Sequence, residues 1–81
     1  MEMNPLEELK AHLMATSEEF RELAAQHLRY HKLLEELEAK PHLSDQEQVE
    51  EVRLKKQKLR LKDQMESIER QFRQQYGVNV A

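Results

Sequence analysis

The 81-residue chain carries 13 lysines and arginines against 16 aspartates and glutamates, so its net charge is −3. Its one glycine and its lack of cysteine exclude a glycine-rich phosphate loop, a disulfide framework and a zinc–thiolate site, and its length excludes a multidomain enzyme. Charged residues make up 36% of the chain and hydrophobic residues 38%, which is typical of solvated helices with a narrow apolar seam.

The chain shows no sign of export or of membrane insertion. Residues 1–5 are acidic and polar, where a secretory signal has positive charge followed by roughly 7–15 apolar residues. The longest apolar runs have three residues, far fewer than the roughly 20 that a membrane-spanning helix needs. We therefore expect a soluble cytoplasmic protein that does not bind membranes.

Capping residues divide the chain into predicted helices. Asn4 can accept hydrogen bonds from unpaired backbone amides and Pro5 suits the first helical turn, so the first helix begins near residue 5. Thr16 and Glu19 have the spacing of a capping box. This spacing predicts that the first helix ends at about residue 15 and that a second one runs over about 17–39.

The second break is a predicted turn at residues 40–44. Pro41 disfavours helical geometry at the preceding residue, and Ser44 and Glu47 form another capping box, which opens a helix over about 45–76. Gly77 can adopt the left-handed conformation that commonly closes a helix, and the tail after it is expected to fray.

Apolar residues recur along these helices at helical spacing. The first two helices present one seam with alternating steps of three and four residues, formed by Leu6, Leu9, Leu13, Thr16, Phe20, Leu23, His27, Tyr30, Leu34 and Leu37. The third helix presents an inner stripe, formed by Leu54, Leu61, Met65, Ile68, Phe72 and Tyr76. An outer stripe lies on roughly the opposite side of the third helix and consists of Val49, Val52 and Leu59.

A turn of five residues makes the two long helices antiparallel neighbours. Folding the chain at this turn places Tyr30 beside Leu54 and Leu23 beside Leu61, and the short first helix then covers the far end of the third. We therefore predict one all-α domain over residues 1–81: an antiparallel, coiled-coil-like helical hairpin with a short N-terminal helix.

This hairpin leaves the outer stripe without a partner in the same chain. Two packed helices also bury only one side of each seam, and chains of this length rarely build enough core alone. We therefore expect a homo-oligomer, either a dimer or a larger helical bundle. Another helical protein is a further partner that the same surface can recruit.

Charge is distributed unevenly along the chain. Residues 1–51 hold 13 acids and 5 bases, whereas residues 52–81 hold 3 acids and 8 bases. The stretch from Arg53 to Lys62 has six positive charges and no acid. The first interpretation is pairing with acidic helix faces, such as the glutamates within residues 35–38, in the same chain or in a partner. The second is nucleic-acid binding, which the acidic chain and the lack of interleaved aromatic residues disfavour.

Few polar residues are candidates for chemistry. His27 and His31 have a spacing that can hold a metal, but two ligands are too few and the hairpin delivers no third, so we expect neither metal nor cofactor. His27 is expected to hydrogen-bond across the seam instead. Asp63 either pairs with a base of another helix or stays exposed. Thin seams offer no water-excluding cavity, so we expect no enzymatic activity.

Several of these residues also match the pattern of a known family. Phe20, Leu23 and His27, followed by the run from Val52 to Met65, resemble the YdcH-like family of small, uncharacterised bacterial proteins. The specific part is the run Val-Arg-Leu-Lys-Lys-Gln-Lys-Leu-Arg-Leu-Lys-Asp-Gln-Met, and the resemblance covers about residues 9–66.

The resemblance implies a helical hairpin but no reaction or ligand. The chain departs from the family at Pro41-His42-Leu43, which replaces a glycine-rich stretch, and in its glutamine-rich segment at residues 71–75. We interpret the shared positions, together with Val52, as a candidate assembly or docking surface: Phe20, Leu23, His27, Val52, Leu54, Lys55, Lys56, Lys58, Leu59, Leu61, Lys62 and Asp63. The sequence thus predicts a self-associating interaction or adaptor module without catalytic activity. The alternative is a nucleic-acid-binding accessory protein that uses the stretch from Arg53 to Lys62.

Overall fold

The computed structural model describes the backbone of residues 4–76 and the side chains of residues 4–74, and it contains three helices over this range. Helix α1 spans Pro5–Thr16, α2 spans Glu18–Glu38 and α3 spans Asp45–Tyr76. Helices α2 and α3 pack closely against each other, and α1 contacts both. The predicted all-α hairpin with a short N-terminal helix is therefore confirmed. Gly77 and the tail after it, for which a helix end and fraying are predicted, lie outside the described residues.

The first turn of α1 is fixed by its own sequence. Asn4 accepts a hydrogen bond from the backbone N–H of Glu7 at 2.8 Å, and Pro5 stands where its missing N–H costs no helical hydrogen bond. Glu7 and Glu8 place negative charge at the positive end of the helix dipole.

None of the helices in the described part of the chain combines the length and the apolar character that a membrane span needs.

A single residue, Ser17, separates α1 from α2, and its backbone is extended with φ −114° and ψ 111°. Its hydroxyl accepts a hydrogen bond from the N–H of Phe20 at 3.1 Å, and its own N–H donates to the carbonyl oxygen of Leu13 at 2.8 Å. The sequence predicts Thr16 as this capping residue, which is one position too early. Thr16 belongs to α1, where its hydroxyl donates to the carbonyl oxygen of His12, a bond typical of threonine inside a helix.

The connection between α2 and α3 ends in a capping box. The hydroxyl of Ser44 accepts from the N–H of Glu47 at 3.1 Å, while the Glu47 carboxylate accepts from the N–H of Ser44 at 3.0 Å. Lys40 forms an ion pair with the same carboxylate. The Lys40 hydrogen bond first, and then those of Ser44, lower the pKa of Glu47 from 4.5 to about 2.

The core lies where all three helices meet. Leu9, Leu13 and Phe20 are buried there, and Phe20 is only 1% exposed. The partly buried residues that pack against them come from α3: Met65, Ile68 and Phe72. Nearer the loop, where only α2 and α3 remain, the buried hydrophobic residues are Leu34, Leu54 and Leu61. Two members of the predicted seam are exposed instead, because Leu6 lies in the first turn of α1 and Thr16 lies at the break.

The polar contacts between α2 and α3 differ from the register that the turn predicts. Nδ1 of His31 lies 2.7 Å from Nζ of Lys58, whereas folding at the turn places His31 beside Arg53. Lysine side chains are long, and side chains on a helix lean toward the N-terminus of that helix. For α3 this end is the loop end. The ammonium group of Lys58 therefore reaches a residue of α2 that lies nearer the loop than the backbone of Lys58 does.

Candidate interaction surfaces

Helix α3 has one buried apolar face and one exposed apolar face. On the inner stripe, Leu54 and Leu61 are 6% and 7% exposed. On the outer stripe, Val49, Val52 and Leu59 are 61%, 51% and 59% exposed. Neither α1 nor α2 therefore covers the outer stripe.

The basic stretch divides between two sides of α3. The row that faces α2 consists of Lys55, Lys58 and Lys62, and it lines grooves together with His27 and His31. The row on the other side consists of Arg53, Lys56 and Arg60, which are exposed and line neither of these grooves. Helical rotation places Val52 and Leu59 between the two rows, whereas Val49 lies at nearly the same angle as Lys56.

Only part of this positive charge is paired within the chain. Lys55 lies 3.4 Å from Glu38 and 3.9 Å from Glu51, and Arg53 lies 3.5 Å from Glu50. The other four cations of the stretch have no carboxylate within ion-pair distance in the part of the chain that the structure describes: Lys56, Lys58, Arg60 and Lys62. Pairing with α2 through Glu38 thus neutralises only one end of the stretch.

The twelve candidate residues of the sequence analysis fall into three groups. Buried inside the chain are Phe20, Leu54 and Leu61. Partly buried between helices are Leu23, His27 and Lys58. Exposed are Val52, Lys55, Lys56, Leu59, Lys62 and Asp63. The buried group holds the hairpin together and has no surface left for a partner, so the expectation that all twelve share one docking surface is corrected.

His31, rather than His27, makes the predicted hydrogen bond across the seam. Lys58 donates from Nζ to Nδ1 of His31, and Nε2 of His31 lies 2.6 Å from the carboxylate of Glu35. Because an ammonium group can only donate, Nδ1 of His31 is the acceptor of this contact, and Nε2 is the ring nitrogen that faces Glu35. Among the described residues, no three His, Asp or Glu side chains lie close enough together to hold a metal ion.

His27 lies in a positively charged environment. Partial burial first, and then neighbouring cations that include Lys58, Lys62 and Lys10, lower the pKa of His27 from its ordinary value of 6.5. Burial disfavours the charged form of an imidazole, and neighbouring cations act in the same direction. Lysines from both α1 and α3 thus surround one histidine of α2.

Two residues of this region are missing from the sequence-based candidates. Lys10 of α1 and Glu69 of α3 both line a groove with His27, and Glu69 is only 3% exposed. Lys10 follows Leu9 and Glu69 follows Ile68, so each stands one position after a member of a predicted apolar stripe. Helical periodicity was the available signal, because it places both residues at the edge of an apolar stripe.

Comparison with known proteins gives a family and no activity. A family model described as "Protein of unknown function (DUF465)" matches residues 20–69. This span contains all but the first two residues of α2, the loop, most of α3 and all twelve candidate residues, whereas α1 lies outside it. The match confirms the resemblance to the YdcH-like family. No curated protein and no solved structure matches the chain.

Proposed function

The chain belongs to the DUF465 family of proteins of unknown function. We propose from its geometry that it is a cytoplasmic interaction module, which self-associates through the outer stripe and has no catalytic activity. A second copy of the chain is the first partner. Recruitment of another helical protein by the same surface is the adaptor role that follows from this arrangement.

The exposure of three aliphatic residues on one side of α3 carries this proposal. Val49, Val52 and Leu59 each keep half or more of their surface in water. Removing apolar surface from water is worth about 25 cal/mol per Å², so a partner that covers the stripe gains free energy. Single exposed hydrophobic residues are common, but three along one side of one helix form the kind of stripe that another helix covers.

Charge supports a second copy of the chain as the occupant. Val52 and Leu59 lie between two rows of cations, while residues 1–51 carry 13 acids and 5 bases. The exposed glutamates of α2 that border the outer stripe are Glu35 and Glu38, which line a groove with Leu59. An acidic α2 of one copy therefore complements the basic α3 of another, and a two-fold arrangement makes this contact twice.

Nucleic acid is the second candidate partner. Lys56 and Arg60 are exposed and have no carboxylate partner in the described part of the chain, so they are free to contact phosphates. No aromatic residue occurs between Arg53 and Lys62 to stack on bases. The apolar stripe beside these cations also has no role in phosphate binding, which favours the protein partner.

Sedimentation velocity over a range of protein concentrations tests self-association. Replacing both Val52 and Leu59 with Ser removes most of the outer stripe and leaves the buried inner stripe intact. In a two-fold dimer four apolar side chains are lost, so the dissociation constant should rise roughly 100-fold. Leu33→Ser is the matched control, because Leu33 is 42% exposed but lines a different groove from Leu59.

Two results contradict self-association through this stripe: a wild-type chain that stays monomeric at its highest soluble concentration, or equal weakening by Leu33→Ser. A further variant, with Gln in place of both Lys56 and Arg60, distinguishes nucleic-acid binding from self-association. Loss of salt-sensitive binding to single-stranded DNA, with unchanged sedimentation of the protein, would favour nucleic-acid binding over assembly.

A further inference from the structure

A groove where the three helices meet gathers basic side chains from all of them. Its volume is about 370 Å³, and its lining includes Lys10 from α1, His27 and His31 from α2, and Lys58 and Lys62 from α3. No residue of the outer stripe lines it. The groove adjoins the surface proposed for self-association, since Leu59 lines a neighbouring groove with His27, His31, Lys58 and Lys62.

The lysines of this groove lack carboxylate partners. Lys10 and Lys62 make no ion pair with any residue that the structure describes. Lys58 hydrogen-bonds to the imidazole of His31 instead of to a carboxylate. Like charges held around one groove repel each other, and a bound anion would replace this repulsion with attraction.

Two carboxylates of α3, Glu66 and Glu69, also line the groove, and neither forms an ion pair within the described residues. Burial first, and then cations that include Lys58, Lys62 and Lys10, lower the pKa of His27. With His27 neutral, the lining carries three lysines against two carboxylates, an excess of one positive charge. With His27 protonated, the lining carries three lysines and one imidazolium against two carboxylates, an excess of two positive charges.

We propose that this groove binds a compact dianion, the phosphate group of a phosphorylated small molecule, with Lys10, Lys58 and Lys62 as its charge partners and His27 as a hydrogen-bond donor. Lys58 has donors to spare, since an ammonium group carries three N–H bonds and His31 uses one. The dianion favours the protonated form of His27, so binding takes up one proton. Lysine is a common point-charge partner of phosphate.

Proton NMR of the four histidine rings tests this groove in the intact chain. Sodium sulfate is the first probe, because it is a tetrahedral dianion whose charge does not change while histidine titrates. We expect sulfate to raise the pKa of His27. His12 and His42 are internal controls, because neither lines the groove, and their pKa values should stay in place.

Glycerol 2-phosphate, a simple phosphate monoester, tests the affinity of the groove. Lys62→Gln should weaken its binding about tenfold, which is typical of one lost charge-assisted contact. Lys56→Gln is the matched control, since it removes the same charge from the same helix outside the groove. Both positions are exposed, and circular dichroism of the two variants confirms that the helices remain folded.

Three results overturn the proposal: equal loss of affinity in Lys56→Gln and Lys62→Gln, a common shift of all four histidines in sulfate, or binding of single-stranded DNA without binding of glycerol 2-phosphate. Each of these indicates a diffuse basic surface instead of a compact site. Anion binding does not depend on self-association. The variant with Ser at positions 52 and 59 should therefore bind sulfate as the unchanged chain does.

Discussion

Two leucines only two positions apart on α3 have opposite surroundings. Leu61, on the inner stripe, is 7% exposed, whereas Leu59, on the outer stripe, is 59% exposed. Both belong to the same basic run and differ only in their angular position around the helix. The side of the helix, rather than the residue type, therefore decides whether an apolar residue builds the hairpin or remains available to a partner.

The difference between the two leucines is tested most strongly by making the same substitution at both positions. Leu61→Ala should lower the free energy of unfolding by about 2–5 kcal/mol, because it leaves a cavity between packed helices. Leu59→Ala should change it by less than about 0.5 kcal/mol, as is usual for an exposed side chain. Urea denaturation at low protein concentration measures both, since dilution keeps association from adding to stability. Equal losses would contradict the two-faced description of α3.

A second substitution tests the helix cap at the break between α1 and α2. Ser17→Ala removes the hydroxyl that accepts from the N–H of Phe20. The loss should be about 1 kcal/mol of unfolding free energy, the usual value for a helix cap. Thr16→Ala is the control, because the Thr16 hydroxyl bonds only within its own helix, and it should cost less than about 0.5 kcal/mol. A larger effect at Thr16 would show that the break is held differently.

The side of α3 that faces α2 is probed by the titration of His27. Its pKa in the folded chain lies below 6.5, through burial and then the neighbouring cations, so the unfolded chain binds the proton first as the pH falls. The free energy of unfolding should therefore decrease as the pH falls through 6.5 and level off once folded His27 is protonated.

Urea denaturation at several pH values between about 8 and 5 measures this dependence. His27→Gln should remove it, whereas His42→Gln, at an exposed position in the loop, should retain it. A chain that becomes more stable as the pH falls through this range would contradict the positive environment assigned to His27.

The smallest expected effect lies at the start of α3, before either stripe begins. Glu47 should titrate with a pKa of about 2 in carbon-detected NMR, and Lys40→Gln should raise it toward 4.5, because the Lys40 contact is the largest cause of the shift. The stability that this carboxylate adds is present above pH 4.5 and is lost as the pH falls toward about 2. Lys32→Gln, at an exposed position on α2, should leave the pKa of Glu47 unchanged.

The hairpin itself could be predicted because its signals are local. Pro41 and the pair Ser44 and Glu47 mark the loop within a few residues, and the burial of Leu54 and Leu61 follows from helical periodicity. The break between α1 and α2 was harder to place, because Thr16 and Ser17 are both capping residues. Which of them leaves the helix depends on how the following residues pack.

The candidate sites depend on features that periodicity does not encode. The contact between His31 and Lys58 arises from the length and lean of a lysine side chain, which shifts polar contacts away from the backbone register. Lys10 reaches the groove only because α1 folds back against both other helices. The angular positions of Val49, Val52 and Leu59 around α3 predicted the outer stripe. They could not show which of the neighbouring lysines and arginines form ion pairs.

The accessibility of position 59 in concentrated solution tests self-association most directly. The chain has no cysteine, so Leu59→Cys and Leu33→Cys each introduce a single thiol at an exposed position. The rate of labelling by a water-soluble maleimide is measured over a range of protein concentrations and normalised to the rate in dilute solution. We predict that the thiol at position 59 becomes protected as the concentration rises, while the thiol at position 33 does not. If both label at rates independent of concentration, the outer stripe stays in water and does not join copies of the chain.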